Sequence, residues 1–120
     1  DVCVPISKIT ECVKFAEDQA EKFGVRAPMV GHMGDGNFHV ILPFDPKNKE
    51  SYKKIRSFND TLIKKSLELN GTITGEHGVG LHKKEYLLEQ HPDNIPVMKS
   101  IKRTLDPNNI MNPGKIFDLN

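Results

Sequence analysis

The chain has 120 residues, which is enough for one globular domain. Its 17 basic and 16 acidic side chains give a net charge of +1 and are interspersed, so no nucleic-acid or anionic-membrane surface is predicted. No apolar run approaches the length of a membrane span, and two cysteines are too few for a disulfide framework, so we expect buried thiols in a reducing compartment.

The predicted elements alternate between strands and helices in the first two thirds of the chain and are helical thereafter. A strand at "DVCV" is followed by an amphipathic helix that ends near Gly24, and then by two strand-like runs joined by Gly-Asp-Gly. A long helix follows "DPKN", "TIT" begins another strand, and helices at 81–90 and 95–105 precede a tail rich in proline and asparagine. This order predicts an α+β fold with helices packed on an antiparallel sheet and a C-terminal helical segment.

Two of the five histidines flank the tip of the predicted hairpin in "GHMGDGNFHV", residues 31–40. Asp-Gly between strand-like runs is a strong hairpin signal, and a two-residue turn at Asp35 and Gly36 would place His32 directly opposite His39. Directly opposed side chains lie about 4.5–5.5 Å apart on one face, so two imidazoles so placed can bind one metal ion. The alternative is two polar residues on an open hairpin face.

A second candidate segment, "GTITGEHGVG" at residues 71–80, places Glu76 and His77 in a glycine-rich loop after a predicted strand. Glu76 would complete a set of three protein ligands with the two histidines, and three ligands with an open position are typical of a catalytic metal site. His77 would then be free to act as a base. A glycine loop that binds an anion, or an acid near a helix N-terminus, stays open as an alternative.

Three segments in this order resemble the C-terminal region of FAD-linked 2-hydroxy-acid oxidoreductases of the vanillyl-alcohol-oxidase superfamily. They are "GHMGDGNFH", "GTITGEHGVGLHKKEYL" and "LDPNNIMNPGKIF", and the opening "DVCVPIS" also resembles a segment of these enzymes. The family includes cytochrome-type D-lactate dehydrogenases, D-2-hydroxyglutarate dehydrogenase and the flavin subunit of glycolate oxidase. The resemblance extends over nearly the whole chain.

The resemblance implies an FAD-binding domain that is absent from this chain, which contains no GxGxxG fingerprint and begins without methionine, as if cut from a larger protein. Residues 1–80 would form the later part of a ferredoxin-like substrate (cap) domain with the metal site. Residues 81–120 would form the C-terminal helical segment and a tail near the flavin.

The resemblance also implies roles for individual residues. The family's metal ligands, usually of zinc, correspond to His32, His39 and Glu76, and the candidate base for the substrate hydroxyl corresponds to His77. Four further positions are implied with supporting roles: Asn37 and Lys83 at the site, and Asn112 and Lys115 near the flavin.

One departure from the family bears on the substrate. Where the D-2-hydroxyglutarate enzymes have an asparagine facing the substrate, this chain has Ile41, which favours D-lactate, oxidised to pyruvate, over a dicarboxylate. The expected partners are a small 2-hydroxy acid, the FAD domain of the same full-length protein and an unidentified electron acceptor. The expected location is the cytoplasm or the periphery of the inner membrane in a bacterium, or the mitochondrion in a eukaryote.

Two hypotheses from other classes stay open. The chain could be a stand-alone metal-binding or interaction module without flavin chemistry, or a structural α+β domain whose histidines cap turns.

Overall fold

The computed structural model describes residues 1–119. It contains two compact units, Asp1–His77 and a second unit that begins at Gly78 and runs to the end of the described residues.

The first unit contains a small antiparallel sheet. Its strands are β1 (Val2–Cys3), β2 (Met29–Val30) and β3 (Asn37–Val40), in the order β1-β3-β2. An isolated antiparallel bridge between Cys3 and Thr72 extends the sheet on the free side of β1. With the helices described next, the order is β-α-β-β-α followed by this bridge, which is the ferredoxin-like arrangement. The predicted α+β class with an antiparallel sheet is confirmed.

Two helices pack against each other in this unit. Helix α1 (Ile9–Phe23) ends at Gly24, which adopts the left-handed conformation with a φ of 63°. Helix α2 (Lys49–Glu68) begins after Asn48, whose side-chain oxygen accepts hydrogen bonds from the backbone N–H groups of Glu50 and Ser51. These ends agree with the glycine stop after α1 and with the helix start that "DPKN" predicts.

The core of the first unit explains which way strand β3 presents its side chains. Phe38 is completely buried, and successive residues of a strand point to opposite faces. Asn37 and His39, on either side of Phe38, therefore share the other face. The core is built from the sheet, both helices and the loop after α2: Val2, Val4, Cys12, Ala16, Phe38, Ile55, Phe58, Leu62, Ile63, Leu69 and Ile73.

The second unit contains helices α3 (Lys84–Gln90) and α4 (Ile95–Leu105), followed by a tail without regular structure, as predicted. The Ile116 N–H donates to the Gly80 carbonyl at 2.8 Å, and Lys84 Nζ lies 2.8 Å from the Asp118 carboxylate. The tail therefore contacts the first residues of the second unit. Within the described part of the chain, every helix is too short or too polar to cross a membrane.

Candidate metal centre

The connection between β2 and β3 differs from the two-residue turn that the sequence predicts. Val30, not His32, pairs with His39, and residues 33–35 form a 3-10 turn. The His32 carbonyl accepts the N–H groups of Asp35 at 2.8 Å and of Asn37 at 3.3 Å. The prediction that His32 lies directly opposite His39 is therefore wrong, because a 3-10 turn at residues 33–35 separates His32 from the paired residues of β2 and β3.

Gly36 shows why the tip takes this form. It adopts a φ of 79°, and a Cβ atom there would lie 2.1 Å from the carbonyl oxygen of Val4. The Val4 N–H in turn donates to the Gly36 carbonyl at 2.9 Å. The tip is thus shaped by the segment after β1 as well as by its own sequence, and only glycine fits.

The longer connection still brings the two imidazoles to one carboxylate. Glu76 Oε1 lies 3.1 Å from His39 Nε2 and 3.5 Å from His32 Nε2, and the two rings are edge to face with centroids 6.0 Å apart. The side chain of His39 is 18% exposed, whereas those of His32 and Glu76 are open to solvent. The structure therefore brings together the three side chains that the sequence nominates as ligands.

These three donors fit a divalent ion. Two imidazole nitrogens and a carboxylate oxygen are a donor set that zinc accepts, and neighbouring ligands of a tetrahedral ion with bonds of about 2.0–2.1 Å are about 3.3–3.4 Å apart. The two measured separations to Glu76 Oε1, 3.1 and 3.5 Å, lie on either side of that value. The ligand atoms of all three residues lie within 4.8 Å of one another. The exposed positions of His32 and Glu76 leave one side of the group open to solvent.

His77, the candidate base, lies next to this group. Its ring stacks on His39 with a centroid separation of 4.6 Å and an interplanar angle of 6°. Its Nε2 is 3.9 Å from Glu76 Oε1, and its side chain is exposed. The ring therefore borders the volume that the three ligand atoms enclose.

The Asp1 carboxylate is a part of the site that the sequence analysis did not identify. It accepts hydrogen bonds from Asn37 Nδ2 at 3.0 Å and from the backbone N–H groups of Gly75 and His77 at 2.9 Å each. With His39 and His77 it forms a second group of metal-ligand type. Because these hydrogen bonds occupy most of its lone pairs, Asp1 is a poorer ligand than Glu76. Its signals in the sequence are its place directly before an apolar strand and in "DVCVPIS", the opening segment that resembles the family.

Asn37 and Gly75 hold this carboxylate in place. Asn37 Nδ2 also donates to the Val2 carbonyl at 2.8 Å, so this amide links Asp1 to the sheet. A Cβ atom on Gly75 would lie 1.7 Å from Asn37 Nδ2 and 2.4 Å from Asp1 Oδ1. The glycine before Glu76 is therefore required by the close packing of these two side chains.

Four other nominated residues are not members of this ligand group. Ile41 follows β3, is half exposed and donates its N–H to the Pro28 carbonyl at 2.9 Å. Lys83 belongs to the second unit, where burial lowers its pKa to about 8. Asn112 and Lys115 belong to the tail of that unit, where the Lys115 N–H donates to the Asn112 carbonyl at 3.3 Å. The roles of these residues stay predictions.

A shallow cavity of about 220 Å³ opens at the ligand group. It is lined by Cys3, His32, Asp35, Asn37, Gly75 and Glu76.

Comparison with known proteins identifies the family of this chain. The sequence profile described as "FAD linked oxidases, C-terminal domain" matches residues 1–116. The chain belongs to this family. It is 42% identical over 120 residues to a Danio rerio protein named probable D-lactate dehydrogenase, mitochondrial. The alignment covers 99% of this chain and 24% of the length of that protein.

Relatives with other substrates in their names are equally similar. Glycolate oxidase subunit GlcD of Bacillus subtilis is 42% identical, over 98% of this chain and 25% of its own length. D-2-hydroxyglutarate dehydrogenase of Stutzerimonas stutzeri is 46% identical over 90 residues, 72% of this chain and 19% of its own length. This FAD-linked oxidase C-terminal domain thus spans about a quarter or less of the curated relatives it matches.

Proposed function

We propose that this chain is the C-terminal part of an FAD-dependent D-2-hydroxy-acid dehydrogenase, to which it supplies a divalent-metal site and a catalytic base. The ligands are His32, His39 and Glu76, and the base is His77. The observation that carries the proposal is the convergence of two imidazole nitrogens and a carboxylate oxygen from two segments that are distant in sequence.

D-Lactate, oxidised to pyruvate, is the favoured substrate. Relatives from Danio rerio, Arabidopsis thaliana and Kluyveromyces lactis are named as D-lactate dehydrogenases and are 40–42% identical to this chain. The apolar Ile41 side chain also favours an acid with a small apolar substituent, because it offers no hydrogen bond to a second carboxylate. Glycolate, which is smaller still, is the second candidate, since the Bacillus subtilis relative is a glycolate oxidase subunit.

A bound metal ion, His77 and FAD would each have a separate role in the reaction. A bound divalent ion, such as zinc, would supply Lewis-acid polarisation of the substrate hydroxyl and carboxylate. The His77 ring borders the same volume and takes the hydroxyl proton, a contribution of typically about 10²–10⁴-fold in rate. FAD, held mainly by the FAD-binding domain of the full-length protein, would supply the acceptor for the hydride of the α-carbon.

The remaining assignments belong to the same proposal. Asn37 braces the site through Asp1, and Lys83 supports the substrate region. Asn112 and Lys115 face the flavin. Residues 1–80 belong to the cap domain and 81–120 to the C-terminal helical segment. An unidentified electron acceptor reoxidises the flavin.

Zinc affinity and turnover test the proposal separately. Zinc titration of the chain, with a competing chelator, should show one tight site in the wild type that is lost in His39→Ala and kept in His82→Ala, a matched change at an exposed histidine of the second unit. In the longer protein that contains the FAD domain, His77→Ala should lower kcat for D-lactate by about 10²–10⁴-fold while zinc remains bound. Equal zinc affinity in His39→Ala and His82→Ala contradicts the ligand assignment, and an unchanged kcat in His77→Ala contradicts the base.

A further inference from the structure

The two ring nitrogens of His39 face two different carboxylates. Nε2 lies 3.1 Å from Glu76 Oε1, and Nδ1 lies 3.2 Å from Asp1 Oδ1. The Asp1 side chain is only 7% exposed, so its charge is buried behind the ring. A buried carboxylate is costly unless hydrogen bonds satisfy it, which gives its partners particular weight.

The two oxygens of Asp1 have different partners. Oδ2 accepts the backbone N–H groups of Gly75 and His77, which are the residues on either side of Glu76, at 2.9 Å each. Oδ1 accepts Asn37 Nδ2 at 3.0 Å and faces His39 Nδ1. One carboxylate therefore contacts both the loop that carries one proposed ligand and the ring of another.

The charge of Asp1 favours one tautomer of His39. A neutral imidazole carries one N–H, on either Nδ1 or Nε2. His39 Nδ1 is buried and makes no well-aligned hydrogen bond to any residue that the structure describes, so the anionic oxygen 3.2 Å away dominates its surroundings. An N–H at Nδ1 is attracted by that oxygen, whereas a lone pair is repelled. Glu76 Oε1 lies 3.1 Å from Nε2 and attracts an N–H there, but the Glu76 side chain is 53% exposed, so water screens its charge more than that of the buried Asp1, and Asp1 decides the tautomer. The Nδ1–H form leaves the lone pair of Nε2 free to bind a metal ion.

We propose that Asp1 is a positioning residue, which holds His39 in the Nδ1–H tautomer and fixes the loop that presents Glu76. The inference rests on the proposed function to the extent that His39 and Glu76 are the metal ligands. Carboxylates that accept the second N–H of a ligating histidine have this role in other metal sites.

Asp1→Asn separates the two contributions of the carboxylate. The amide oxygen of asparagine can occupy the Oδ2 position and accept the two backbone N–H groups, which keeps the loop in place. The amide nitrogen then occupies the Oδ1 position, where it loses the hydrogen bond from Asn37 Nδ2 and faces His39 Nδ1 as a donor, so His39 Nδ1 must become the acceptor. The proton moves to Nε2, where it blocks metal binding.

The measurement is long-range ¹H–¹⁵N NMR of the imidazoles in the metal-free chain, which distinguishes the two neutral tautomers. A short Gly-Ser leader ahead of residue 1 keeps a free amino group away from the site. The wild type and Asp18→Asn, a matched change at an exposed aspartate of α1, should show His39 as Nδ1–H. Asp1→Asn should show the Nε2–H form and a zinc affinity about 10–100-fold lower.

The outcomes distinguish this inference from the proposed function. If the wild type binds zinc through His39 but Asp1→Asn changes neither tautomer nor affinity, the role of Asp1 is overturned and the metal site stands. If the wild type binds no zinc but the tautomer switches in Asp1→Asn, the metal site fails and the orienting role stands. If Asp1→Asn does not fold, the wild-type spectrum decides, because a metal-free His39 in the Nε2–H form overturns the inference.

Discussion

Gly75→Ala should disrupt the site by steric overlap alone, without removing any polar group. The added methyl would lie 1.7 Å from Asn37 Nδ2 and 2.4 Å from Asp1 Oδ1, distances that no real Cβ contact shows. Both side chains are held in place, Asn37 by the Val2 carbonyl and Asp1 by two backbone N–H groups. They cannot retreat without breaking these bonds, so the overlap must displace Asp1 or the loop.

The structure sets the magnitude of the effect. Inserting a methyl group into a packed site costs about 1–3 kcal/mol. Losing one hydrogen bond to a charged group adds about 1.5–3 kcal/mol. Since partial relaxation offsets some of this, we expect the free energy of unfolding to fall by about 2–4 kcal/mol. Zinc affinity should fall by at least about tenfold, because the loop that carries Glu76 moves with Asp1.

Urea unfolding and zinc titration of the same samples provide the assay, and Gly34→Ala is the control. Gly34 lies in the turn between β2 and β3, its φ is outside the left-handed region, and a Cβ atom there meets nothing within 4 Å. Its substitution should change the free energy of unfolding by less than about 0.5 kcal/mol. If Gly75→Ala and Gly34→Ala agree in both stability and zinc affinity, the packing argument is refuted.

Acid stability and thiol reactivity provide further tests. Lys102 and two backbone N–H groups of the tail bind the Asp106 carboxylate and hold its pKa below the usual range. This stabilisation is complete above the unfolded-state pKa of about 3.9 and is lost as the pH falls through the lower folded-state pKa. Asp106→Asn should therefore be less stable than the wild type at pH 7, and the difference in acid-unfolding curves should shrink below about pH 4; a constant difference would argue against the assignment. Burial raises the pKa of the Cys12 thiol to about 11, so at pH 8 an alkylating reagent should modify the partly exposed Cys3 first. Peptide mass spectrometry that finds Cys12 labelled at the same rate in the folded chain would contradict this.

Local signals were sufficient for the helices. The apolar periodicity and the flanking asparagine and glycine predicted the long helix that the structure shows at Lys49–Glu68, and the helix predicted at 95–105 is Ile95–Leu105. The two-residue turn predicted between β2 and β3 was wrong because the shape of this connection depends on the Val4 carbonyl, which packs against Gly36 from another part of the chain. A dipeptide preference contains no information about such a neighbour.

The candidate site divides in the same way. His32, His39 and Glu76 could be nominated because each lies in a distinctive glycine-rich segment, and the resemblance to a known family joined the two segments. Asp1 lies in "DVCVPIS", which resembles a family segment, but it was not nominated, because it contacts Asn37 and Gly75 across 36 and 74 positions of sequence and has no second polar residue of ligand type beside it. Contacts of this range are made by the folded sheet and leave no periodicity in the chain.

If the proposed ligands bind a metal ion, the stability of the first unit depends on metal supply. Its members lie on the β2–β3 hairpin and on the loop after α2, so an ion seated between them would cross-link two segments that the whole of α2 separates. An ion that binds only the folded chain adds about 2.7 kcal/mol to its stability at a free concentration of 100 times Kd. The free energy of unfolding of a small domain is only about 5–15 kcal/mol in total. In a cell that is short of the metal, this unit would therefore unfold more often and be degraded faster.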